Sequence, residues 1–362
     1  MRKFLLQLFI VICASAGAFY FFYRYVPINM DEVSFYHVLA CHQYPLNMLN
    51  DFRESCSQYD IKPPLVGRYL PLMENRHQGA ISSFLYWPLF RLWPSPYSSR
   101  LWALILFAVQ TFFLARICRT SWALTHVLML LFMPYAFLHL VDIGPISALT
   151  ASTFAVLWLV QQWVKKISMK ESRGWICAGA AGFLIACCIW IKLSYFAILP
   201  GVMFLIANTI IENRQFFLDA SKRAMLQRQG FLFLIMAVVP LFFLFGSINR
   251  YGDTLFAFVY RSGAALTTDH KPKWYLIKDL AHPLSSTHKI FMTGGHFTFW
   301  ADHFYLYFLL VLLILGGIGL YKKGVAFNFF RLNVLLYIMT VLLVIIYPGS
   351  QDPAHLALAS PF

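Results

Sequence analysis

The chain carries nine long apolar runs, more than a soluble fold of this length can bury. They occupy about residues 4–23, 101–115, 123–141, 146–164, 174–190, 196–211, 231–248, 304–321 and 330–347. An α-helix needs about 20 apolar residues to cross a bilayer, and most of these runs approach that length. In hydrocarbon every backbone N–H and C=O must be paired within its own segment, so each run is expected to be a helix. Composition agrees. Of 362 residues, 60% are hydrophobic and 12% charged, against about 25% charged in an ordinary soluble domain. The expected fold is an all-α polytopic membrane protein with about nine transmembrane helices, forming one transmembrane domain over 1–362.

Charge orients the runs. The net charge of +14 would suggest nucleic acid in a soluble protein, but no basic stripe with interleaved aromatics stands clear of the apolar runs. Nucleic acid is not an expected partner. Lys and Arg instead cluster at 2–3, 116–119, 165–173, 214–228 and 322–331, with only Glu171, Glu212 and Asp219 as acids among them. A cytoplasmic N-terminus puts every cluster inside. Two long segments, 24–99 and 249–301, then lie outside, together with the C-terminus from residue 348. Residues 352–362 look like the start of another apolar segment. They are either an interface-lying tail or the point where a longer chain has been cut. Met1-Arg2-Lys3 and the later Ala14-Ser15-Ala16 imitate a signal peptide, yet the apolar run continues to Tyr23, which predicts an uncleaved first helix.

Within the first outer segment, residues 79–93 are rich in Trp, Tyr and Phe, which suits a helix lying in the membrane interface. A short tilted span interrupted by Pro88 is the alternative. The seven cysteines include no C-x-x-C, so a structural zinc site is not expected. Cys41 and Cys56 share the outer segment and are open to two readings, a disulfide or two free thiols. No phosphate-binding Walker loop, G-x-S-x-G or H-E-x-x-H is present, so nucleotide-driven transport and the common hydrolase chemistries lack support.

Polar residues at the outer ends of the runs are the candidates for chemistry. Asp31 and Glu32 follow the first run, where charge is costly. They either flank the helix and pair with Arg24, or one is a general base tuned by partial burial. Neighbours on a helix point about 100° apart, so they cannot serve one ligand equally. Asp31 is the favoured catalytic member. Lys192 ends an apolar stretch beginning near Gly174, at about the depth of Asp31 on the same side. It either snorkels to the interface or holds a lipid phosphate. Asp142 is a turn acid or a second acid in the same cavity. His77 is a solvated loop residue, a metal ligand or a proton-transfer group, and His355 has a weaker case. The loop 249–301, with Arg250, Arg261, Lys271, Lys273 and several histidines, would suit a cover over an anionic substrate.

In order and topology these features resemble the GT-C superfamily of membrane glycosyltransferases, in particular the dolichyl-phosphate-mannose protein mannosyltransferases and the bacterial aminoarabinose transferases. The resemblance rests on Asp31-Glu32, on His77-Gln78-Gly79 through Tyr86-Trp87, on Asp142, and on the stretch from Gly179, through Gly182-Phe183-Leu184-Ile185-Ala186-Cys187-Cys188-Ile189-Trp190-Ile191, to Lys192. It covers about residues 1–215. It implies a glycosyltransferase acting at the extracytoplasmic face of a bacterial inner membrane, moving a sugar from a polyprenyl-phosphate donor to a lipid, glycan or protein acceptor with inversion. Lys192 would hold the donor phosphate, with Arg68, Tyr69, His77, Arg250 and His355 also on the substrate. Asp31 would activate the acceptor hydroxyl, with Glu32 and Asp142 beside it. A divalent metal ion at Glu32 and His77, or at Asp142, would neutralise the departing phosphate. Two other readings are a transporter or flippase for a lipid-linked saccharide, which calls for midplane polar residues and broken helices, and a non-catalytic membrane assembly subunit.

Overall fold

The computed structural model describes residues 2–25, 60–74, 78–132, 145–193, 195, 199–212 and 218–257. Of these, 78% are helical. The helices are α1 (Arg2–Tyr25), α2 (Ile81–Leu92), α3 (Pro96–Cys118), α4 (Trp122–Phe132), α5 (Pro145–Ser168), α6 (Gly174–Ile191), α7 (Leu199–Glu212) and α8 (Ala220–Phe245). Two short strands, β1 (Ile61–Lys62) and β2 (Ile248–Asn249), pair antiparallel. Four helical stretches are long and apolar enough to cross a membrane: Arg2–Phe21, Tyr97–Cys118, Gly174–Ile191 and Ala220–Phe245. The expected runs at 304–321 and 330–347, and the Cys41–Cys56 pair, lie outside the described residues.

Two element boundaries differ from the sequence reading. α3 starts at Pro96, inside the segment assigned to the first outer loop. Ser95 caps it by accepting from the Tyr97 amide at 3.3 Å, and Pro96 supplies a φ already suited to a helix start. α8 starts at Ala220, well before its apolar stretch. Asp219 accepts from the Ser221 and Lys222 amides, and residues 220–228 are mostly strong helix formers. The Ser221 hydroxyl, and then Lys170, hold the Asp219 carboxyl below the usual carboxylate range.

α1 is joined to the bundle along its length. Gln7 accepts from the Trp122 amide at 3.2 Å, and Phe4 stacks on Trp122. Ser15, within the stretch that imitates a cleavage site, bonds His126 at 3.0 Å, while the other ring nitrogen of His126 bonds Thr111 at 2.9 Å. A buried histidine with both nitrogens on hydroxyls ties α1, α3 and α4 together.

The main core lies between α5, α6, α7 and α8. α6 and α8 run parallel: Gly179 faces Leu232, Gly182 faces Phe233 and Met236, and Trp190 meets Leu244. A Cβ on Gly182 would overlap the backbone carbonyl of Phe233, so glycine is what lets the two backbones approach. At one end of this pair the loops after α5 and before α8 meet, with Lys170 3.1 Å from Asp219 and Lys166 2.9 Å from Glu171. At the other end, residues 60–74 and 78–80 lie against the C-termini of α6 and α8.

Candidate functional site

Residues 60–74 and 78–80 form a series of extended pairings that starts at β2, after α8, and ends at α6. β1 pairs with β2 through Ile61–Asn249 and Lys62–Ile248. Ile61 and Leu70 exchange two backbone bonds of 2.8 Å. The chain then folds back on itself, with the Ala80 amide donating to the Leu72 carbonyl and the Glu74 amide to Gln78, both at 2.9 Å. Its last strand lies along the end of α6. Gln78 bridges Lys192, and the Gly79 amide donates to the Ile191 carbonyl at 3.1 Å. The Trp190 indole donates to the Leu72 carbonyl at 2.8 Å, locking the same contact from the side. A Cβ on Gly79 would overlap both the carbonyl and the indole of Trp190, so the docking requires glycine. Ile61, Met73, Leu244 and Leu255 fill the space beneath, with Leu72 and Trp190 packed on them.

The pairing brings together two stretches more than a hundred residues apart that the sequence reading singled out separately, Gln78-Gly79 and Lys192. Lys192 ends α6 in extended backbone, its amide bonded to Cys188, and is 7% exposed. A cation at that burial is held by polar surroundings or by counter-charge. Gly182, which the resemblance placed in the approach to Lys192, packs against Phe233 and Met236 of α8.

Glu74 was not singled out from the sequence. It sits on the turned strand beside Gln78 and is partly buried, and the Ser83 hydroxyl donates to its carboxylate. Burial pushes the Glu74 carboxyl up to about 7, against a smaller downward pull from Ser83. Its only sequence signal was an acid three residues before His77. Arg100, also missed, is 1% exposed in the first turn of α3 and lies over the Tyr97 ring. Lys62 stands exposed at the end of β1, and Pro63 and Pro64 behind it favour extended backbone.

α2 connects these groups. Its buried face is Ser82, Ser83, Tyr86 and Phe90, while Phe84, Leu85, Trp87 and Leu92 point outward. Ser83 reaches Glu74, and Tyr86 bonds Ser98 at the start of α3. Among the described residues the buried Ser82 hydroxyl meets no hydrogen-bond partner. At twelve residues, or ~18 Å, α2 is shorter than the ~30 Å hydrocarbon core.

The other expected substrate residues form a second group at this end. Arg250 is ion-paired with Asp60 at 3.0 Å and lies 5.2 Å over the Tyr69 ring, with exposed Arg68 next in the chain. Asp31, Glu32, His77, Asp142 and His355 lie outside the described residues. Among the described residues no three His, Cys, Asp or Glu side chains are grouped to hold a metal ion. No protein-family model matches the chain, and neither a curated protein nor a solved structure matches it significantly.

Proposed function

We propose that the chain is a membrane glycosyltransferase that moves a sugar from a polyprenyl-phosphate donor to an acceptor hydroxyl at the extracytoplasmic face. The carrying observation is the docking of Gln78-Gly79 onto Ile191-Lys192. It puts a buried lysine, a near-neutral carboxyl and a row of buried hydroxyls at one end of the bundle. The opposite end holds the described basic clusters: Lys165, Lys166, Lys170 and Arg173 beside Lys222, Arg223 and Arg228. The preference of positive charge for the cytoplasmic side supports reading the Lys192 end as extracytoplasmic.

In this reading Lys192 holds the donor phosphate as a point charge, and Lys62, Arg68 and Arg250 supply further cations on the same face. Tyr69 and Arg250, already stacked, border the donor's path. Asp31 takes the proton of the acceptor hydroxyl. The new C–O bond forms at the anomeric carbon as the bond to phosphate breaks. The electron pair leaves with the polyprenyl phosphate, and attack from the opposite face gives inversion. Glu32, Asp142 and His77 support this centre. The test is Asp31→Asn in chain that is expressed and folded as the wild type. The expected result is loss of sugar transfer; full transfer would remove Asp31 from the mechanism.

A further inference from the structure

The end of the bundle away from Lys192 carries its own arrangement of charge. α8 begins as an exposed basic segment, with Arg223, Gln227 and Arg228 turned outward, before it becomes apolar. Its outward face then continues through Phe231, Leu234, Val238 and Phe242, exposed by 66%, 53%, 58% and 74%. An exposed apolar stripe of that length suits a surface that faces lipid. Arg228 lies three residues before Phe231, ~4.5 Å along the axis at ~1.5 Å per residue. The headgroup layer adds roughly 5–7 Å beyond the hydrocarbon on each side, so Arg228 falls at headgroup depth.

α6 makes the same transition beside it. Arg173 is exposed just before the helix, followed by the outward Trp175 and Ile176. Aromatic rings at such a boundary mark the membrane interface. The two transitions meet: the Gln229 amide donates to the Ser172 carbonyl at 3.5 Å, and Gly174 lies against Gln229. Arg173 and Arg228 are therefore the immediate chain neighbours of one interhelical contact. Two acids of these loops are already engaged, Glu171 by Lys166 and Asp219 by Lys170. Guanidinium groups match phosphate oxygens in paired geometry, better than an ammonium does.

We propose that Arg173 and Arg228 form a binding site for the headgroup phosphate of an acidic phospholipid in the surrounding leaflet, with Trp175 and Phe231 against its acyl chains. The site rests on the membrane reading of α6 and α8 and not on the catalytic one. The test is binding of a fluorescent phosphatidylglycerol, against the matching phosphatidylcholine, to the purified full chain in non-ionic detergent. The wild type is expected to prefer phosphatidylglycerol by roughly tenfold, with the preference shrinking as salt rises from about 0.05 to about 0.5 M. The paired change Arg173→Gln and Arg228→Gln is expected to abolish the preference. Arg173→Lys with Arg228→Lys keeps part of it, and Arg116→Gln with Arg119→Gln keeps all of it. A preference that survives the glutamine pair, is absent from the wild type, or is lost equally in the Arg116 and Arg119 control overturns the proposal.

Discussion

Lys192 and Glu74 are two ionisable groups in one docking contact. Lys192 is buried at a helix end yet serves the proposed mechanism only while charged. Replacing it with methionine keeps most of its volume and removes the charge. A hydrogen bond to a charged group contributes about 1.5–3 kcal/mol, so Lys192→Met is expected to slow sugar transfer by ~10- to 100-fold with little change in Tm, read by transfer rate and thermal unfolding in parallel. Glu74 gives a pH signature. Its folded pKa, about 7, lies above its ordinary 4.5, so the folded chain binds the proton more tightly than the unfolded chain. Stability from the neutral carboxyl is therefore full below about pH 4.5 and is lost as pH rises through about 7. Glu74→Gln cannot ionise, so its Tm is expected to fall less than the wild type's between those values. Parallel curves would exclude Glu74 as the titrating group.

At the scale of elements, two glycines decide how the helices and the docked loop meet. Gly182 lets α8 approach α6, and Gly79 lets residues 72–80 lie on the end of α6. Overfilling a packed contact costs about 1–3 kcal/mol. Gly182→Ala is expected to lower Tm of the whole bundle. Gly79→Ala is expected to leave Tm closer to wild type while transfer falls, because it disturbs the docking and spares the main core. Equal effects on both readouts would mean that the two contacts are not separable.

The helices were legible in the sequence because apolar run length is a direct physical requirement of a bilayer. Their boundaries were less so: the start of α8 depends on the Asp219 cap, and the start of α3 on Ser95 and Pro96, local signals that hydropathy does not register. Lys192 was legible because a charge breaking an apolar stretch is conspicuous. Glu74 and Arg100 were not, since burial of a loop carboxyl or a flanking arginine comes from contacts with Ser83 and α3 that a linear pattern does not contain. The packing of Gly182 was hidden for the same reason: only the neighbouring backbone of Phe233 shows it.

For the molecule as a whole, the chain's two ends of charge give the account its direction. Basic loops joined by the Lys170–Asp219 pair lie at one end, and the loop 60–80 ties the termini of α6 and α8 at the other. The length of α6 and α8 keeps those ends apart, so the proposed donor phosphate and the proposed acidic headgroup would engage separate surfaces. The most direct test is photo-crosslinking of a polyprenyl phosphate carrying its reactive group beside the phosphate, followed by mapping of the labelled peptides. Labelling is predicted in residues 60–80 and around Lys192, and to be competed away by unlabelled polyprenyl phosphate. Labelling confined to residues 165–173 and 219–228, or unaffected by that competitor, would contradict the account.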